Sequence, residues 1–175
     1  DSLTKMTEQR YKPMVLSNNT LVARYFLGTV CMFTLHPRLA EDTLPLGEFP
    51  LSTCRLMNDM QFPWLILIPR VPGITELYEL SQADQEQFLR ESSWLSSQLA
   101  RVFRADKMNV AALGNVVPQL HFHHVVRYQN DVAWPKPVWG TPAVPYSNDV
   151  LAHMRQTLML ALRGQGDMPF DWRMD

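Results

Sequence analysis

Trp64-Leu65-Ile66-Leu67-Ile68 is a continuous apolar run closed by Pro69. No alternation divides it into a wet and a dry side, so it predicts a central strand buried on both faces. The second strong constraint is a long helix. Ser81-Gln82-Ala83-Asp84 has the form of a capping box with Asp in place of Glu or Gln. Phe88, Leu95, Leu99 and Val102 then recur at helical spacing to about Phe103, which gives one core-facing stripe. Trp94 lies off that stripe.

Shorter elements surround these two. Leu44 to Phe49 and Ser52 to Met57 read as strands separated by a turn at Pro50, and Asn58-Asp59 ends the second of them. Lys107 to Leu113 and Gln119 to Arg127 complete the sheet, joined through a Gly114-Asn115 turn. His36 to Asp42 predicts a short helix with Pro37 at an early position and His36 as a surface or capping residue. Glu76 to Leu80 predicts a brief helical turn. Ser147 caps a last helix from Asn148 to about Arg163, with Leu151, Met154, Leu158 and Leu162 on its apolar face. Residues 134–142 form a rigid loop of tryptophans and prolines that in isolation resembles a polyproline ligand. Because it follows the Gln119 to Arg127 strand so closely, it is expected to fold across or beside any pocket which that strand lines. Residues 1–31 read as an extension, in which Ser17 to Thr20 could cap a brief helix starting near Thr20.

A chain of 175 residues suits one domain with a sizeable core. With 16 basic and 17 acidic residues, no strong field for nucleic acid or an anionic membrane is implied. No apolar run reaches the roughly 18 residues needed to span a bilayer. Leu21 to Phe33 is interrupted by Arg24 and Gly28 and does not read as a signal peptide. Cys31 and Cys54 have no metal or redox spacing, which favours a reducing compartment. The expectation is a soluble cytoplasmic protein.

Three of the five histidines fall within Gln119-Leu120-His121-Phe122-His123-His124-Val125-Val126. In a strand, alternate side chains share a face. Gln119, His121, His123 and Val125 then point one way, and Leu120, Phe122, His124 and Val126 the other. His121 and His123 stand roughly 6.6 Å apart on the backbone, close enough to serve one small bound group. Asn109 and Asn115 come from the neighbouring strand and turn.

Gly114-Asn115-Val116-Val117-Pro118-Gln119-Leu120-His121-Phe122-His123 resembles the signature of the histidine triad (HIT) family, with Gln119 at the first histidine position. Leu56-Met57-Asn58-Asp59 and Trp64 to Arg70 are similar to that family's first sheet strands and the nucleoside pocket between them. The likeness runs from about Met32 to about Val126. Trp64 stands where many members carry a histidine supporting the first of the triad, so both departures concern one corner of the site.

The resemblance implies an α+β, HIT-like fold. An antiparallel sheet of about five strands carries one long helix, with an N-terminal extension over 1–31 and a domain over 32–175 that includes the C-terminal loop and helix. It implies a hydrolase or nucleotidyl transferase working at the α-phosphate of a nucleotide. His121 would be the nucleophile, and His123 would hold a phosphate oxygen. Asp59, with Asn58 beside it, would take the ribose hydroxyls, and Asn109 and Asn115 would add neutral donors. Gln119 bonds but does not titrate, so it cannot serve as acid or base. No cofactor and no metal are needed. The partners implied are a small-molecule nucleotide and a second copy of the chain in a homodimer, for which Trp94, Trp134, Trp139 and Trp172 are candidate interface residues. Two rivals stand beside this reading: zinc held by His121, His123 and Asp59, and a catalytically weakened nucleotide-binding protein.

Overall fold

The computed structural model describes residues 13–15, 22–26, 29–163 and 168–173, with side chains described from Met32 onward. Three strands come first: β1 (Pro13–Val15), β2 (Val22–Phe26) and β3 (Thr29–Met32), in an antiparallel sheet of their own. The helix expected near Thr20 is therefore not found over Val22–Phe26, which is strand; Thr20 itself lies outside the described residues.

The main sheet has six strands in the order β7-β8-β6-β5-β4-β9, every pair antiparallel. They are β4 (Thr43–Glu48), β5 (Ser52–Met57), β6 (Trp64–Pro69), β7 (Lys107–Ala112), β8 (Phe122–Arg127) and the two-residue β9 (Asp171–Trp172). The sixth strand, beyond the five expected, is too short for a periodic signal. It pairs with β4 at Gly47, where a Cβ would collide with the Asp171 carbonyl and the Phe170 ring. Glycine permits that approach.

β6 is central and its six residues are all buried. Leu65 and Leu67 enter one core with Phe88, Leu95 and Leu99, while Trp64, Ile66 and Ile68 enter a second with Leu39, Phe62, Val125 and Val138. The two-sided burial required by the apolar run is thus met by one core on each face of the sheet. Each large side chain so buried is worth about 1.5–3 kcal/mol.

The first core lies beneath α2 (Gln82–Phe103), whose N-cap Ser81 accepts from Asp84 N–H. Glu91 sits on the apolar stripe yet is wholly buried, because it accepts the N–H groups of Leu51 (2.7 Å) and Ser52 (3.1 Å) at the β4–β5 turn. Burial and the Glu91 charge push the Cys54 thiol well up, and Cys54 is a free cysteine. The Cys31 side chain lies outside the described ones. α3 (Asn148–Ala161) closes the same core with Leu158 and Ala161, followed by Leu162, while Leu151 and Met154 are partly buried. Ser147 occupies its N-cap position without a side-chain capping bond.

α1 (Pro37–Asp42) lies on the opposite face through Leu39, and His36 caps it by accepting from Arg38 N–H. A 3-10 turn covers Leu77–Glu79. Among the described residues no helix is long and apolar enough to cross a membrane.

Candidate active site

The histidine segment enters the sheet later than its alternation suggested. The β8 ladder begins at Phe122, so Gln119, Leu120 and His121 precede it. β7 ends at Ala112, opposite Phe122, and Leu120 N–H turns instead to the Ile74 carbonyl. The facing survives the change. His121 and His123 lie on one side, their ring centroids 4.9 Å apart and their planes at 78°.

Each ring is oriented by one nitrogen. His121 Nδ1 lies 2.6 Å from the Gln119 carbonyl. A carbonyl only accepts, so Nδ1 carries the proton and neutral His121 keeps its lone pair on Nε2. His123 Nδ1 lies 3.0 Å from Trp64 Nε1. An indole only donates, so here Nδ1 is the acceptor and neutral His123 carries its proton on Nε2. Burial, reinforced by His121 and then His124, pushes the His123 pKa down to about 3. The pair therefore offers one lone pair and one neutral N–H at neighbouring rings.

Trp64 supports His123, not the first triad position. In the β6–β8 ladder Trp64 lies opposite Val125 and Ile66 opposite His123, so indole and imidazole rise from one face. The Gln119 carboxamide is engaged elsewhere: Oε1 accepts from His36 N–H and Nε2 donates to the Thr34 carbonyl, both at 2.9 Å. The two departures thus act on different corners of the site. Gln119 positions His121 through its backbone and the 34–36 segment through its side chain.

The other candidates are more dispersed. Asp59 is buried, and its Oδ1 accepts from Gln61 N (3.1 Å), Gln61 Nε2 (3.1 Å) and Val144 N (3.2 Å). Asn58 Oδ1 accepts from Tyr146 N at 3.1 Å. Together they clasp the loop that leads into α3. Asn109 lies one alternation beyond Ala111, the residue facing His123, and its Oδ1 accepts from Arg127 Nη1 at 2.7 Å. Asn115 is exposed in the loop between β7 and Gln119. Among the described residues no three His, Cys, Asp or Glu side chains are placed to share a metal ion.

The loop over residues 134–142 does fold beside the histidines. Trp139 sets its ring edge-on to both His123 (5.3 Å) and Trp64 (5.7 Å). Its anchor went unnoticed in the sequence. Arg127 and Asp131 form a bidentate ion pair at 2.7 and 3.0 Å with side chains only 1% and 4% exposed, and Trp134 packs 5.6 Å from the guanidinium. Burial opposes ionisation of Asp131, but bonds from Arg127 and the Tyr128 and Ala133 amides outweigh it and hold the carboxyl below its ordinary value. The i, i+4 spacing of Arg127 and Asp131 was the available signal.

All four tryptophans proposed for an interface have partners within the chain: Trp134 and Trp139 as above, Trp94 on Phe49, and Trp172 on Phe170. Trp94 and Trp139 are covered by segments distant in sequence, whereas Trp172 packs edge-on against Phe170, two residues before it.

A family model described as the HIT domain matches residues 39–130. A histidine triad protein from Marinobacter aquaeolei VT8 is 56% identical, with a TM-score of 0.74 over 75% of this chain and 97% of its own. A histidine triad protein from Bradyrhizobium japonicum is 39% identical, with a TM-score of 0.72 over 74% of this chain and 98% of its own. A histidine triad (HIT) protein from Sinorhizobium meliloti 1021 is 40% identical, with a TM-score of 0.72 over 74% and 97%. No curated protein matches. Family model and structural neighbours agree with the geometry: this chain belongs to the histidine triad (HIT) family, whose activity is in general that of nucleotide hydrolases and transferases.

Proposed function

We propose that the protein transfers or hydrolyses a nucleotide at its α-phosphorus through a covalent nucleotidyl-His121 intermediate. The observation that carries this reading is the complementary pair of ring nitrogens, a lone pair on His121 Nε2 and a proton on His123 Nε2, on rings 4.9 Å apart. His121 Nε2 attacks phosphorus, forming an N–P bond as the bond to the leaving group breaks and its electrons depart with that group. Water then attacks the same phosphorus, the N–P bond breaks, and the water proton passes to solvent. His123 donates Nε2–H to a non-bridging oxygen as charge develops there.

The remaining candidates are assigned by what each has left to offer. Asp59 Oδ1 already takes three N–H groups, so the ribose hydroxyls go to Oδ2, with Asn58 holding the loop beside it. Arg127 fixes the Asn109 oxygen, which leaves its NH2 as a donor, and Asn115 adds another from the loop. Gln119 has no proton to release, so leaving groups that depart as stable anions, such as phosphate or sulfate from an anhydride, react faster than an amine from a phosphoramidate. The test is a single-turnover reaction with α-labelled nucleotide. Acid-labile label on the parent protein and none on His121→Ala supports the reading; nucleotide binding without label rejects it for a binding protein.

We further propose a cytoplasmic homodimer built on residues 32–175, with 1–31 as an extension. β7 is an edge strand with Val110 exposed, and Leu89 is exposed on α2, which suits pairing through helix and strand. Light scattering at micromolar concentration checks it: a mass near 20.2 kDa, that of one chain, rejects the dimer.

A further inference from the structure

We propose that Trp64 is a positioning residue of this site: by donating its indole N–H to His123 Nδ1, it locks His123 in the tautomer protonated on Nε2 and so makes it a phosphoryl hydrogen-bond donor. The acceptor's identity rests on the nucleotidyl-transfer reading. The tautomer does not.

The argument is one of donors and acceptors. Trp64 Nε1 and His123 Nδ1 are 3.0 Å apart, both residues are buried, and an indole nitrogen has no lone pair to offer. With a proton on Nδ1, two N–H groups would face each other across that distance. The indole donor would then be buried without an acceptor, which costs more than a hydrogen bond is ordinarily worth. The same conflict opposes imidazolium, because that form carries protons on both nitrogens. Trp64 cannot easily turn away: it is held in the β6 strand, packs in the apolar cluster with Phe62, Ile66 and Val125, and has Trp139 against it.

The consequence for chemistry is specific. In the locked tautomer His123 meets an anionic oxygen with a proton; in the other it would meet that oxygen with a lone pair. His123 is accordingly no general base in either step. A histidine in place of Trp64 could donate or accept and would set no such constraint.

The test reads the imidazole nitrogens of the full chain by 15N NMR. Three proteins are compared: the parent, Trp64→Phe, and a protein with benzothienylalanine at position 64, which keeps the indole shape but replaces N–H with sulfur. In the parent, His123 should show an unprotonated Nδ1 and a protonated Nε2 across about pH 5 to 8, where an ordinary histidine titrates. In the sulfur isostere both tautomers should appear, and kcat should fall about tenfold with KM unchanged, the worth of one neutral hydrogen bond. A proton on Nδ1 in the parent overturns the proposal, and so does a tautomer unchanged in the isostere. The parent spectrum alone can do so even where Trp64→Phe fails to fold. Failure of the parent to turn over any nucleotide overturns the transfer reading and with it the phosphoryl role, while the NMR result still decides the tautomer.

Discussion

His123 and His124 are adjacent in sequence and on opposite faces of β8, and they meet opposite fates. On the helix side, His124 has both nitrogens occupied: Nδ1 donates to the Phe122 carbonyl at 3.2 Å, and Nε2 accepts from the Ser92 hydroxyl on α2 at 2.8 Å. On the other side, His121 and His123 each have Nδ1 bound within the chain, which orients the ring, and in the proposed mechanism Nε2 is the nitrogen that meets the nucleotide. A buried histidine saturated at both nitrogens has none left for a ligand; one bonded at a single nitrogen has the other. Burial does not separate them, since all three are less than a tenth exposed.

The contrast breaks first at His121. His121→Ala should lower turnover by at least about a thousandfold while nucleotide binding stays measurable, as expected for a lost covalent nucleophile. Steady-state kinetics beside a binding titration checks it, and parent-like kcat would refute the assignment. His123→Ala removes a charge-stabilising donor and should cost roughly a hundredfold to a thousandfold in kcat.

The buried pair can also be compared by pH. Burial pushes His124 down to about 4 and His123 to about 3, whereas both titrate near 6.5 when unfolded. Below 6.5 the unfolded chain binds the additional protons, so stability falls as pH falls and is constant above that range. The loss at pH 5 should be about 2 kcal/mol for each histidine. Urea unfolding at pH 7 and pH 5 measures it, and a flat profile would mean that the rings protonate in place.

The smallest expected effect sharpens the comparison from the structural side. Ser92→Ala leaves His124 Nε2 buried without its donor and should cost about 1–2 kcal/mol of stability. It should leave kcat within about twofold, since His124 faces away from the site. A large fall in kcat with stability intact would show that the two faces are not independent.

Which segments form strands and helices was decided by residues a few positions apart. The unbroken run in β6, the 3.6-residue stripe of α2 with its Ser81 cap, and the alternation through β8 each state a burial requirement locally, and the structure meets them within a few residues. The histidine motif likewise identified the family and the face on which His121 and His123 stand. What each polar atom bonds to was settled only in three dimensions. Trp64 and His123 are 59 residues apart, Gln119 and His36 are 83 apart, and Asp59 and Val144 are 85 apart. Alternation specifies a face but not a partner, because any donor brought to that face by folding can take the available lone pair. Hence the chain by itself singled out the two histidines, whereas only tertiary packing decided which nitrogen of each is bonded within the protein and to what.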